Sequence, residues 1–235
     1  GRPARQVLAE SLPELIASMR FNKSMRWNES GVAFSRPIRW FVALHGGAVV
    51  PFEYGGYQSG CESRGLRFTE MDRFNTHTPQ AYLEALAEQG ILLNPTDRMQ
   101  AIKKAADRLA AQVGGAIPDD PGLQEEVTNL VEKPTAFRGE FDPGYLERLP
   151  PEVLISVMKK HQRYFVVEDQ QGALLPYFVG VRNGGDAHLD VVQDGNEQVI
   201  LARFDDAAFF VKKDLKRPLE DFVEDLATLT FEKRL

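Results

Sequence analysis

The chain has 235 residues, enough to bury a substantial core in one large or two small domains. Hydrophobic residues make up 43% and charged residues 26%, the balance of an ordinary globular chain, and the net charge of -6 argues against a surface basic all over. The single cysteine, Cys61, excludes an internal disulfide and suits a reducing cytosol, and no run of 18 apolar residues is present to span a membrane as a helix. Residues 6–20 place Val7, Leu8, Leu12, Leu15, Ile16 and Met19 on one face of a short helix, with Pro13 expected to mark a break or a new first turn. Residues 37–44 and 48–54 read as two strands joined by Gly46-Gly47, because Ile38, Trp40, Phe41 and Val42 are β-branched or aromatic. The glycine-rich stretch 55–68 reads as a loop or bulged strand.

Thr78-Pro79 pairs a capping residue with proline at the first helical position, and Gly90 supplies the stop. Ile91-Leu92-Leu93 reads as a short strand. Asn94-Pro95 starts a longer helix closed by Gly114-Gly115, and Asp119-Asp120-Pro121-Gly122 is a turn into another, stopped by Pro134. Thr135 to Phe141 is a predicted strand, and Pro150-Pro151 opens a helix through Val157 and Met158. A hairpin follows: Arg163 to Val167, a turn at Asp169-Gln170-Gln171-Gly172, then Leu174 to Val181.

The longest pattern comes last. Asp194 is a good N-cap with Glu197 three residues on, which predicts a helix starting there. Ile200, Phe204, Ala207, Val211 and Leu215 make its apolar stripe, Phe209 and Phe210 are expected to widen the buried face, and Arg203 can pair with Asp206. Lys212, Lys213, Lys216 and Arg217 place positive charge at its end, and Pro218 forces a break before a short helix with Leu219, Phe222, Val223 and Leu226. Hairpins mixed with helices, without β-α-β alternation, predict an α+β fold with a mixed or mainly antiparallel sheet.

Metal and nucleophile chemistry find little support. His45, His77, His161 and His188 are far apart from one another and from Cys61, and no phosphate-cradling glycine motif or Gly-x-Ser-x-Gly occurs. The informative signal is basic and aromatic. Lys159-Lys160-His161-Gln162-Arg163 adjoins Tyr164 and Phe165, and Arg26, Arg36 and Arg39 interleave with Trp27 and Trp40. Cations meet phosphates and rings stack on unpaired bases, so these segments suit RNA. The same pattern also arises where aromatics are core and the charges are a solvated rim.

Several segments resemble the beta subunit of bacterial heterotetrameric glycyl-tRNA synthetase. They are Met25-Arg26-Trp27 with Phe34 to Trp40, Ser63-Arg64-Gly65-Leu66-Arg67-Phe68, Leu130 to Pro134, Leu149 to Ile155, Met158 to Phe165 with Asn183, and the run Gly195-Asn196-Glu197 to Phe210. They cover most of residues 20–215 in order; Leu66 departs from the family, where histidine is usual. The resemblance implies a fragment of a longer beta chain, with a core like the B3/B4 module of the phenylalanyl-tRNA synthetase beta chain. The expected domains are an N-terminal helical segment (1–24), a B3/B4-like α+β core (25–215) whose helix-rich pattern at about 69–133 reads as an insertion or subdomain, and the start of a helical region (216–235). It also implies a cytoplasmic bacterial ligase whose alpha subunit uses ATP and Mg, with no cofactor in this fragment and no catalytic or metal-ligating residue. The implied partners are tRNA(Gly), the alpha subunit and the remaining beta domains. Candidate tRNA contacts are Arg26, Arg36, Arg39, Lys159, Lys160, Arg163 and Arg203. The expected role is to bind and position tRNA; scaffolding comes second, and hydrolytic editing in a B3/B4-type pocket third.

Overall fold

The structure, a computed structural model, describes residues 1–67 and 73–228. Phe68 and the expected helical region beyond residue 228 lie outside the described residues. The chain divides into two units, Gly1–Leu93 and Asn94–Leu235. This boundary falls inside the stretch 69–133, so its helices are shared between the units.

The first unit begins with α1 (Ala4–Ser18), which continues through Pro13 and buries none of its residues. Proline removes one backbone donor, yet no break results. Short strands follow: β1 (Met25–Arg26) pairs with β2 (Ala33–Phe34), and β3 (Phe41–Val42) runs parallel to β7 (Tyr57–Gly60). The expected hairpin around Gly46-Gly47 is present but short, with β4 (Leu44–His45) facing β5 (Ala48–Val49), while residues 37–40 are not strand. Part of the glycine-rich stretch forms a second hairpin. Its strands are β6 (Glu53–Tyr54) and β7, and its turn is Gly55-Gly56, with φ of 63° and 83°. Two successive positive φ values give the primed turn that matches strand twist, a conformation that glycine adopts without a steric penalty. β8 (Glu62–Arg64) pairs with β9 (Arg73–Asn75), and α2 (Pro79–Glu88) is capped by the Thr78 hydroxyl, which accepts from the Ala81 N–H at 3.1 Å. Residues 91–93 are not a strand; Ile91 instead packs with Leu66 and Leu86.

The second unit is built on a three-stranded antiparallel sheet. Its order is β10 (Pro134–Glu140), β12 (Leu174–Asn183), β11 (Phe165–Glu168). Successive residues on a strand face opposite sides, and both sides here are covered by helices. On one side Phe165, Val167 and Val179 meet α3 (Pro95–Ala111) and α4 (Pro121–Leu130) through Ile102, Ala106, Leu123 and Val127. On the other, Phe137, Tyr164, Val166 and Phe178 meet α5 (Gly144–Arg148), α6 (Pro151–Ser156) and α7 (Leu189–Asp214) through Tyr145, Leu154, Ile200 and Phe204. Asn94 and Asp120 cap α3 and α4, each followed by proline at the first helical position, as the sequence predicts. Helices combined with small antiparallel and mixed sheets make the fold α+β.

Several expectations about the last helix fail. It starts at Leu189, so Asp194 and Gly195 lie in its interior rather than at a cap. Phe209 and Phe210 are also exposed. At roughly 100° per residue they lie about 140° and 240° around the axis from buried Phe204, so they cannot share its face. Leu215, at the helix end, is 81% exposed. After Pro218 the chain forms 3₁₀ turns at Leu219–Phe222 and Glu224–Thr228 in place of an α-helix.

Sheet register is set by two phenylalanine–glycine pairs. Phe137 faces Gly180 and Gly139 faces Phe178 across β10 and β12. A methyl group at Gly180 would sit 2.4 Å from the Phe137 ring, and one at Gly139 would sit 2.2 Å from the Phe178 ring. Gly180→Ala is therefore expected to destabilise the protein by about 1–3 kcal/mol through overpacking. Urea unfolding at constant m-value checks this, and an unchanged midpoint would refute it.

Candidate functional site

The basic segment 159–163 forms where α6 runs into a π-helical turn, Val157–His161, before β11. Arg163 ends this turn in a left-handed conformation with φ 55°, a region that non-glycine residues enter rarely. Its side chain compensates. The guanidinium donates from Nη1 to the carbonyls of Lys160 and His161 at 3.3 and 3.4 Å, and from Nε to Glu126 Oε1 of α4 at 2.8 Å. Lys159 is paired as well, with Asp120 Oδ2 at 2.9 Å. Asp120 thus accepts from both the Leu123 N–H and the Lys159 ammonium, and these hold its carboxyl below the ordinary 3.8. Of this cluster, Lys160 and His161 stand exposed without an ion-pair partner among the described residues.

The polar residues in the first part of α7 are fastened to the sheet. The buried Tyr164 hydroxyl donates to Asn196 Oδ1, and Asn196 Nδ2 donates to the Val192 carbonyl. Burial raises the Tyr164 pKa to about 12, so the phenol stays a donor. Glu197 Oε1 accepts the Glu140 backbone N–H and the Gln193 amide, both at 3.0 Å. Further along, Asp205 accepts from Tyr145, whose hydroxyl pKa is raised by burial and then by that carboxylate. Among the described residues Arg203 and Asp206 form no ion pair; Asp205 is the engaged carboxylate, and Arg203 is exposed and unpaired. Asn183 binds the segment before β10, accepting from the Glu132 and Lys133 N–H groups at 3.0 Å each.

The first unit holds the other candidates. Arg26 is consumed locally, donating from Nε to the Gly31 carbonyl at 3.1 Å, and the Trp27 indole donates to the Phe34 carbonyl at 2.8 Å. Arg36 and Arg39 are exposed and unpaired. The cation over the Trp40 ring is Arg64, 5.3 Å from its centroid. In sequence Arg36 and Arg39 are the cations beside Trp40; Arg64 comes from β8, and no local pattern reveals its contact with the ring. Among the described residues no group of three or more His, Cys, Asp or Glu is placed to hold a metal ion. No helix of the described chain is long and apolar enough to cross a membrane.

These bonds support two measurable expectations. Asn196→Ala strands a buried hydroxyl and is expected to cost about 1–3 kcal/mol. In a Tyr164→Phe background the cost should fall sharply, and a double-mutant cycle with no coupling would exclude the bond. Asp120 has a lowered native pKa, so its stabilising contribution is complete above about 3.8 and is lost as pH falls through the lower native value. Asp120→Asn keeps a capping oxygen but removes the charge, so it should flatten the acid limb of the stability–pH curve in that window, as read by urea unfolding from pH 5 downward.

Comparison with known proteins adds the family. Residues 1–235 match the family described as glycyl-tRNA synthetase beta subunit. A "Glycine--tRNA ligase beta subunit" from Desulforamulus reducens is 44% identical over 231 residues, covering 98% of this chain and 33% of that protein. Proteins of the same name from Desulfitobacterium hafniense and Clostridioides difficile are each 43% identical over the whole chain and 34% of their own length. The chain spans about a third of the length of the curated relatives it matches. With a match along its full length, the chain belongs to the glycyl-tRNA synthetase beta subunit family.

Proposed function

We propose that the chain supports the ATP-dependent attachment of glycine to tRNA(Gly) by binding and positioning the tRNA. In this reading it is one section of a beta subunit in a cytoplasmic bacterial ligase. Its partners are the alpha subunit, the remaining beta domains and tRNA(Gly). ATP and Mg act at the alpha subunit's site, and this chain supplies no catalytic group. The observation that carries the reading is that four of the seven candidate tRNA contacts are exposed and unpaired among the described residues: Arg36 and Arg39 in one unit, Lys160 and Arg203 in the other. Lys159 and Arg163 serve differently. Their charges are spent on Asp120 and Glu126, and they brace the turn that presents Lys160. The net charge of -6 limits the interaction to such local patches.

A scaffolding role is the second reading, favoured by the exposed apolar residues Phe209, Phe210 and Leu215 on α7 and its end. Exposed apolar surface of this kind marks protein contacts more often than RNA contacts.

Salt separates the two. If about three phosphates are contacted, tRNA(Gly) affinity should fall roughly 30-fold between about 50 and 200 mM salt. Lys160→Glu should weaken binding several-fold and reduce the salt slope by about one contact. Lys159→Glu is a poor probe because it would set two carboxylates side by side. Affinity that ignores salt, and that Lys160→Glu and Arg203→Glu leave unchanged, would assign the chain to scaffolding.

A further inference from the structure

The unit Gly1–Leu93 contains an open pocket of about 300 Å³ lined by Trp40, Val42, Leu44, Ser63, Pro79 and Tyr82. Its walls come from the segment around β3 and β4, from β8, and from the first turn of α2. Val42, Leu44 and Pro79 are apolar, and Trp40 and Tyr82 offer flat rings. The Trp40 indole N–H and the hydroxyls of Ser63 and Tyr82 make no hydrogen bond among the described residues. Trp27 is the contrast, since its indole N–H is satisfied by the Phe34 carbonyl. Trp40 remains 40% exposed. The Arg64 guanidinium over its ring has no carboxylate partner among the described residues, so the site carries positive charge beside an aromatic surface.

A ligand matching these features is flat and aromatic, has a polar edge, and is linked to negative charge. An aliphatic side chain uses neither the rings nor the donors, and an aromatic protein side chain leaves the cation idle. We propose that this pocket takes an unpaired nucleobase, stacked against Trp40 and Tyr82, with its adjoining phosphate drawn to Arg64. The inference rests on the tRNA-binding reading only for the source of the base. Base–aromatic stacking contributes about 1–3 kcal/mol per base, so losing one ring should weaken binding about 5- to 150-fold.

The chain has two tryptophans, so Trp27→Phe leaves Trp40 as sole reporter. This protein is titrated with a short single-stranded oligoadenylate, an abasic oligomer of the same length, 5′-AMP and tRNA(Gly), following Trp40 fluorescence. Saturable quenching by oligoadenylate but not by the abasic oligomer is expected, with affinity falling 5- to 150-fold in Trp40→Ala. Arg64→Gln, which keeps most of the packing volume, is expected to lower oligoadenylate affinity too, and serves if Trp40→Ala fails a circular-dichroism check of folding. Equal quenching by 5′-AMP upholds the pocket and assigns the base to a free nucleotide. Salt-dependent binding of tRNA(Gly) with Trp40 unperturbed, and no preference for oligoadenylate over the abasic oligomer, overturns the pocket while the tRNA reading stands. Quenching by an indole-bearing peptide but not by nucleotides overturns it in favour of a protein ligand. If neither RNA nor 5′-AMP binds, both proposals fall. Lys160→Glu, in the other unit, should lower tRNA affinity and leave oligoadenylate quenching unchanged.

Discussion

The second unit depends on how α7 is held against its sheet. Ile200 and Phe204 are fully buried there, and Phe204 packs edge-on to Phe141 with centroids 5.0 Å apart. Apolar burial supplies the bulk of the attraction but little direction, because a helix can slide or rotate on a greasy surface at modest cost. Direction comes from the polar bonds to Asn196, Glu197 and Asp205, each reaching a different element: the start of β11, the end of β10, and α5. Tyr164 and Tyr145 are buried and their hydroxyls would otherwise lose water without compensation, while the Glu197–Glu140 bond lies at the exposed rim; a misplaced helix forfeits all three together. The run Gly195 to Phe210, one of the segments that resemble the family, is therefore in large part a fastening. Of its polar residues, Arg203 is left free among the described residues, together with Gln198 and Asp206.

The basic turn follows the same logic. A π-turn and a left-handed arginine are both costly backbone states. Arg163 offsets them by covering two carbonyl groups and reaching Glu126, while Lys159 does the same toward Asp120. Half of a cluster that reads in sequence as a nucleic-acid grip is thus internal bracing. What remains for a partner is a smaller charge on a stiffer support.

Much of the fold was legible because the signals were local. Thr78-Pro79, Asn94-Pro95 and Asp120-Pro121 each start a helix where a capping oxygen and a fixed φ agree, and Gly90 and Gly114 end helices with φ of 74° and 72°. The failures share a cause. Asp194-Gly195 looks like a helix start, but burial of Leu189 and Val192 against the core extends the helix one and a half turns earlier. Glu197, expected to close a capping box, instead serves a strand 57 residues away. The candidate site was legible as a set of charges and not as a set of roles, since which cation is spent internally depends on carboxylates from α4. The Trp40–Arg64 contact was hidden for the same reason: packing between segments distant in sequence, not spacing, brings the two together.

The phenylalanine–glycine pairs across β10 and β12 reach beyond local packing. Sliding one strand by two residues keeps every side chain on its own face, so hydrophobic patterning alone would tolerate it. In one direction, however, Phe137 would land opposite Phe178; in the other, Gly139 would land opposite Gly180 and leave a void between strands. The native alignment alone gives each ring an empty seat. Strand β12 can therefore tell correct from slipped pairing by steric fit, before any helix has docked to report the error.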